Sequence, residues 1–165
     1  MEAQVVNVSG SWTASIPSIT EAGTNYAGTY DNTANTGTNQ IILSGTLPGS
    51  FLKVLSSSGA KMTMHYASNP WNTSMTLSAK RTGGTTTIHG VCLLCTASIN
   101  GGASYIPIPQ ASDVTFVTFT FGGVLGLGNS VTFDDIVLLL QVSGVSVTIP
   151  AGTYGARVVF TIVAN

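Results

Sequence analysis

Residues 6–16 read Val6-Asn7-Val8-Ser9-Gly10-Ser11-Trp12-Thr13-Ala14-Ser15-Ile16. Val6, Val8, Gly10, Trp12, Ala14 and Ile16 share one face, and hydroxyl or amide side chains take the other. That period of two predicts a half-buried β-strand. The period returns at the far end of the chain, where Tyr154, Ala156, Val158, Phe160 and Ile162 alternate with more polar or smaller neighbours. Between the two ends, Gln40–Leu47, Phe51–Leu55, Lys61–Ala67, Ser74–Lys80, Thr85–Ile99, Val114–Phe121, Val131–Val142 and Val145–Ile149 each read as extended. Turn signals separate them: Pro48-Gly49, Asn69-Pro70, Thr82-Gly83-Gly84 and Asn100-Gly101-Gly102. Residues 17–39 read as a polar loop with a short strand near Tyr26–Tyr30. The apolar face switches between Phe116 and Val117, which predicts a bulge there. No amphipathic helix of about ten residues or more is visible. About ten strands with turns every 8–12 residues predict an all-β chain folded as one sandwich.

Composition limits what such a domain can do. The 165 residues suit one domain. Pro17 and the polar loop set an N-terminal extension, residues 1–18, apart from a body of residues 19–165. Only 7% of residues are charged, against about 25% in an average soluble domain. The 23 Thr and 18 Ser, rather than charges, keep the surface wet. Five Lys and Arg with a net charge of −1 argue against a nucleic-acid surface and against a polybasic membrane patch. No apolar run reaches the roughly 18 residues of a transmembrane helix. The opening Met1-Glu2-Ala3-Gln4 shows neither a basic region nor a long apolar one, so no leader peptide is expected within this chain.

Each constellation that could carry chemistry has a plainer reading. Cys92-Leu93-Leu94-Cys95 is a candidate disulfide. In a straight strand these cysteines lie roughly 10 Å apart on opposite faces, so bonding requires a turn at Leu93-Leu94. Redox chemistry by a CxxC normally needs a helix N-terminus, and none is predicted here. His89 extends the motif to His-x-x-Cys-x-x-Cys, half of a zinc site, with His65 the sole other histidine. A closed zinc site needs four ligands, so no metal is expected. Calcium would need clustered oxygens, and Asp31, Asp113, Asp134 and Asp135 are scattered. Asp134-Asp135 is the sole acidic pair, and adjacent strand residues face opposite sides, which defeats a glycosidase dyad. No Gly-x-Ser-x-Gly elbow orients a serine nucleophile. No enzyme and no cofactor are expected. Trp71, Tyr66 and Tyr105 are candidates for a sugar-stacking platform or for core lids. Asn7-Val8-Ser9 and Asn72-Thr73-Ser74 are glycosylation sequons.

The C-terminal Ile149-Pro150-Ala151-Gly152-Thr153-Tyr154-Gly155-Ala156-Arg157-Val158-Val159-Phe160-Thr161-Ile162, taken with the N-terminal alternating segment, resembles bacterial pilins of the chaperone–usher type. The likeness is to the alpha-class and spore-coat-protein-U-like groups. It covers about 16 residues at each end. Pro150, Gly152, Tyr154 and Val158 match the terminal pattern, and Gly155 stands one place before the small residue expected at Ala156. The resemblance implies an incomplete immunoglobulin-like sandwich, completed by a donor strand from a neighbouring subunit. It makes Val6, Val8, Gly10, Trp12, Ala14 and Ile16 the donor face, with Gly10 letting the donor backbone pass over a high groove floor. Tyr154, Ala156, Val158, Phe160 and Ile162 become the C-terminal strand of the groove. It also implies identical subunits as partners, a periplasmic chaperone and usher, and a location at the cell surface.

Alternation alone is satisfied equally by a donor strand and by the first strand of the chain's own sheet. What the resemblance implies, and the function expected here, is a structural subunit of an extracellular filament that polymerises head-to-tail by donor-strand complementation. A carbohydrate-binding or adhesin module, or a jelly-roll protein of a virion shell or tail, stands as the alternative.

Overall fold

The computed structural model describes residues 4–17, 27–54, 59–123 and 128–165. The strands are β1 (Val5–Ser9), β2 (Ala27–Asp31), β3 (Ile41–Leu47), β4 (Ala60–Ser68), β5 (Thr76–His89), β6 (Thr96–Asn100), β7 (Ile106–Pro107), β8 (Val114–Gly122), β9 (Ser130–Ser146) and β10 (Ala156–Ala164). One helix, α1 (Gly49–Val54), follows β3. The strands form two antiparallel sheets. The first has the order β1-β3-β9-β5-β7, with β2 also paired to β9, and the second has the order β10-β4-β8-β6. The fold is an all-β sandwich of two sheets.

The core is the product of the period-two pattern. Ile41, Leu43 and Leu47 of β3, Leu77 and Ala79 of β5, and Val131, Phe133, Ile136, Leu138 and Leu140 of β9 are buried on the first sheet. Met62, Met64, Phe116, Val117, Phe119 and Ile162 answer them from the second. The sheets meet through the Phe119 and Phe133 rings, whose centroids lie 5.0 Å apart. Each such ring removed from water is worth about 1.5–3 kcal/mol.

Two strands are longer than their turn signals suggest. Gly83 and Gly84 do not turn the chain. They sit inside β5 with φ of +67° and +102°. The buried face of β5 changes phase there, from Leu77 and Ala79 to the half-buried Gly84, Thr86 and Ile88. Beside them, β9 carries an extra residue relative to β3, because Leu43 pairs with Ile136 and Gly45 with Phe133. Asp135, at φ +57°, is that bulge, and it leaves Asp134 and Asp135 both exposed. The glycines let β5 follow the bulged strand, so a turn signal read in isolation became a kink within a continuous strand. Gly144 plays the same part in β9, where φ is +79°.

Three further differences have simple causes. Residues Phe51–Val54 belong to α1 rather than to a strand: Phe51 and Leu52 N–H both donate to the Pro48 carbonyl, at 2.9 and 3.0 Å. Short apolar runs are ambiguous between helix and strand. The stretch from Thr85 to Ile99 breaks at Gly90 into β5 and β6, with the cysteines in the connection. After Asn100-Gly101-Gly102 the chain does not form a hairpin with β6, because β7 pairs with β5. The register shift between β4 and β8 falls at Phe116, where the sequence places a bulge, and Phe116 and Val117 are both buried.

β2 and β3 occupy successive lengths of the same edge of β9, and Asn32 bridges the gap between them. It is 1% exposed. Its Nδ2 donates to the Leu138 carbonyl at 3.3 Å, and its Oδ1 accepts from Leu140 N–H at 2.7 Å. A side chain thus replaces one rung of the ladder. Removing it orphans a buried N–H and a buried carbonyl, so Asn32→Ala is expected to cost about 1–3 kcal/mol, measured by urea denaturation.

Candidate functional site

The two lateral sides of the sandwich are closed in different ways. On one side, β5 lies against β6 and the loop that follows it. Arg81 is the clasp. Its Nε donates to the Gly101 carbonyl at 2.7 Å, its Nη2 to the Ile99 carbonyl at 3.0 Å, and its Nη1 to the Gly83 carbonyl. Its own N–H donates to the Gly102 carbonyl at 2.6 Å, and Thr86 Oγ1 donates to the Ala97 carbonyl at 2.8 Å. Gly101 and Gly102, at φ +82° and +72°, direct one carbonyl at the guanidinium and the other at the Arg81 backbone N–H.

On the opposite side, β1 and β10 are the sheet edges. β1 pairs with β3 from Val5↔Thr46 to Ser9↔Ile42. The ladder stops at Gly10, where φ is +91°. A Cβ on Gly10 would stand 2.7 Å from the Gln40 carbonyl oxygen. The alternating segment is therefore not one strand from 4 to 16. It is a five-residue strand followed by a glycine corner, and residues 11–17 leave the sheet. Gly10 serves this corner in the chain's own fold. Val6 and Trp12 are half-buried and pack on the core, whereas Val8 and Ile16 are 50% and 40% exposed. Ala14 is exposed.

Beyond Gly10 the chain crosses a groove of about 640 Å³ between the two sheets. Its walls include Trp12 and Ile16 from the segment itself, Tyr30 of β2, Trp71, Val142 of β9 and Tyr154. No lining residue carries a charge. Among the described residues, none forms a backbone hydrogen bond with residues 11–17. β10 pairs through β4 alone, so its outer edge has no strand partner among the described residues.

Of the C-terminal residues, Tyr154, Ala156 and Val158 line the groove, whereas Phe160 and Ile162 do not. Ala156, Val158 and Phe160 are half-buried and Ile162 is buried on the inner face of β10. Tyr154 stands before the strand rather than in it, with its hydroxyl donating to the Pro150 carbonyl at 2.7 Å. Gly155 N–H donates to the Pro70 carbonyl at 2.7 Å, and a Cβ on Gly155 would meet the Asn69 carbonyl. The glycine is fixed by that close approach of the 69–71 turn.

The other candidates are dispersed. Cys92 and Cys95 are joined by a disulfide with Cα atoms 5.7 Å apart, and Leu94 at φ +59° supplies the turn the bond requires. Both thiols are consumed, so His89 has no zinc partners in that motif. It faces Thr132 Oγ1 at 3.1 Å instead. His65 Nδ1 meets Asp113 at 2.8 Å. Among the described residues no three His, Cys, Asp or Glu gather as metal ligands. Asp31 is held below the usual carboxylate range by hydrogen bonds from the Thr33 hydroxyl and N–H. Tyr105 is pushed above its usual value by burial and by Asp31. Lys80 sits over its ring at 4.5 Å, outside the groove. Trp71, Tyr66 and Tyr105 do not form one platform. Tyr66 is buried, with Trp71 tilted over it at 5.7 Å, and Trp71 Nε1 donates to the Met75 carbonyl. Asn7 is exposed on β1, and Asn72 Oδ1 accepts from Ser74 N–H. No helix among the described residues is long and apolar enough to cross a membrane.

Sequence reading missed Tyr30 as a groove residue and Arg81 as a clasp. Tyr30 stood beside a turn signal with no partner in view. Two of Arg81's three side-chain acceptors, Ile99 and Gly101, lie 18 and 20 residues away in and just after β6. The clasp is testable. Arg81→Ala is expected to lower stability by roughly 2 kcal/mol, since hydrogen bonds to a charged donor are worth about 1.5–3 kcal/mol each and the site is partly solvated. Arg81→Lys cannot span the same fork of carbonyls and should lose nearly as much. Chemical denaturation, with hydrogen exchange at Gly102, reads both.

No protein-family model, curated protein or solved structure matches the chain.

Proposed function

We propose that the protein is a structural subunit of an extracellular filament, an immunoglobulin-like sandwich that polymerises when the N-terminal segment of one copy enters the open edge of the next. The observation that carries this reading is the groove beside β10. Residues 11–17 cover it through Trp12 and Ile16, yet make no backbone pairing with the described residues. The outer edge of β10 likewise has no strand partner among the described residues. An incoming strand that pairs with β10 satisfies both sets of backbone groups and buries the same apolar face.

Exchange and self-seating lie close in free energy. Side-chain burial is similar whether Trp12 and Ile16 lie in their own groove or in a neighbour's. The difference is the ladder. About four to six new backbone bonds at roughly 0.5–1.5 kcal/mol each are comparable with the roughly 4 kcal/mol by which a millimolar effective concentration favours self-seating over capture of a neighbour present at about 1 μM. Assembly is then driven by concentration and by whatever keeps the segment out of its own groove. A chaperone that caps the edge and an usher that brings subunits together, as the pilin resemblance implies, would do that. The Cys92–Cys95 bond fits an oxidising exterior. Donor and acceptor surfaces differ, so the contact is head-to-tail and does not close.

The ring-lined groove gives one observation to a second reading, a carbohydrate-binding module, since Trp12, Tyr30, Trp71 and Tyr154 converge on it. The two readings separate in one experiment. A chain lacking residues 1–18 is melted with and without a synthetic peptide of residues 3–18. Strand donation predicts a saturable rise of about 5–10 °C, at roughly 2–4 °C per kcal/mol for a domain of this size. A truncated chain that melts at the full-length temperature and ignores the peptide, but is stabilised by an oligosaccharide, belongs to the second reading. In the full chain, Trp12→Asp is expected to abolish assembly, read by sedimentation, because a carboxylate cannot enter the apolar groove unpaired.

A further inference from the structure

The pattern of residues 6–16 and the path they follow disagree. Val6, Val8, Gly10, Trp12, Ala14 and Ile16 share one face only if the segment runs straight from end to end. In the structure it does not. The ladder with β3 ends at Ser9 and the chain corners at Gly10. The shared face is broken up: Val6 and Trp12 are half-buried, whereas Val8, Ala14 and Ile16 are exposed. The chain's own fold does not bury the alternating face as a unit. A second, straight conformation accounts for the pattern.

Gly10 is the residue that allows the corner. Its φ of +91° is strained for any L side chain. A Cβ would also stand 2.7 Å from the Gln40 carbonyl oxygen and 3.3 Å from Ile41 Cα. Both are backbone atoms, so no change of rotamer relieves the contact. In a straight strand the Cβ projects from the sheet, and alanine serves better than glycine. The corner lays residues 11–17 over the chain's own groove, which Trp12 and Ile16 line. Among the described residues, contact rather than backbone hydrogen bonding holds them there. Beside them runs the outer edge of β10, nine residues without a strand partner among the described residues. At roughly 3.3–3.4 Å per residue, a straight 6–16 segment spans about 33 Å and β10 about 27 Å. The straight form is therefore long enough to pair the whole of that edge on another copy, whereas the cornered form pairs with none of its own.

We propose that residues 11–17 are an autoinhibitory strap, held over the chain's own groove by the corner at Gly10 and released when that corner straightens. The inference rests on the strand-exchange reading and assigns its regulation to one residue. Glycine tolerates both forms, so the equilibrium between them stays within reach of a competing strand. Any L residue at position 10 penalises the strapped form and leaves the straight one intact.

The test is capture of a fluorescent peptide of residues 3–18 by the full chain, read by anisotropy, with the chain lacking residues 1–18 as the open reference. The wild-type chain should bind at least about tenfold more weakly than the truncated one, because its groove is occupied. Gly10→Ala should recover about tenfold in affinity, since the strain of an L residue at positive φ falls on the strapped form. Trp12→Ala should open the groove too, by removing the strap's anchor without touching the backbone, and it carries the test if Gly10→Ala does not fold. In sedimentation, Gly10→Ala should assemble at a lower concentration than wild type, and excess peptide should block that assembly. A wild-type chain that binds the peptide as tightly as the truncated chain overturns the strap and leaves exchange standing. So does a folded Gly10→Ala chain with wild-type affinity. A truncated chain that ignores the peptide overturns exchange, and the strap with it.

Discussion

Every other feature of this sandwich depends on β9 finding hydrogen-bond partners along both of its edges. A strand of 17 residues buried in a sheet presents a long row of N–H and C=O groups, and each one left dry and unpaired costs free energy. β5 pairs with it from Ser130 to Ser143. The other edge is shared between β3 and β2, with Asn32 filling the gap. That division decides where the remaining strands can go. β3 is itself covered by β1, but β2 has no strand outside it among the described residues. The groove opens beside β2 because two short strands cannot shield the whole of one long one.

The two sides of the sandwich then diverge in chemistry. The β5–β6 side carries the guanidinium of Arg81, one of only five cations in the chain, directed at backbone carbonyls. Such bonds are directional and persist only at a fixed spacing, so this side is locked. Among the described residues, the β1–β10 side is closed by side-chain contact, through Trp12 and Ile16. Apolar contact is non-directional and tolerates replacement by another copy of the same segment. The two sides thus differ in what holds them, directional hydrogen bonds on one and side-chain contact on the other.

The fold class was legible because alternation is enforced on every strand by the same buried layer. Met62, Met64 and Tyr66, or Val158, Phe160 and Ile162, declare an inner face without reference to their neighbours. What the sequence conceals are features set by a second strand. Gly83-Gly84 is a turn signal in any local reading, and only the bulge at Asp135 makes it a kink. Gly10 sits in register with the alternating residues, and only the Gln40 carbonyl beside it shows why the ladder ends there. The groove was half legible. Trp12, Tyr154, Ala156 and Val158 stood out by pattern at the termini, whereas Tyr30 and Trp71 reach it through pairings with β9 and through the turn after β4.

Low charge links these features. With Lys, Arg, Asp and Glu at 7% of residues, the molecule lacks the usual means of keeping identical copies apart, since near-zero net charge favours association. Threonine and serine hydrate such a surface without making it repulsive. A monomer built to remain alone would instead place charges on its edge strands, which blocks strand addition. Here β1 reads Val-Val-Asn-Val-Ser and β10 holds one charge, Arg157. Of the exposed apolar residues, Val5 and Val8 lie on one sheet edge, and Val91, Leu93 and Leu94 lie in the connection between β5 and β6. An edge strand such as β1, with exposed valines and no charge, leaves its outer backbone groups open to strand addition.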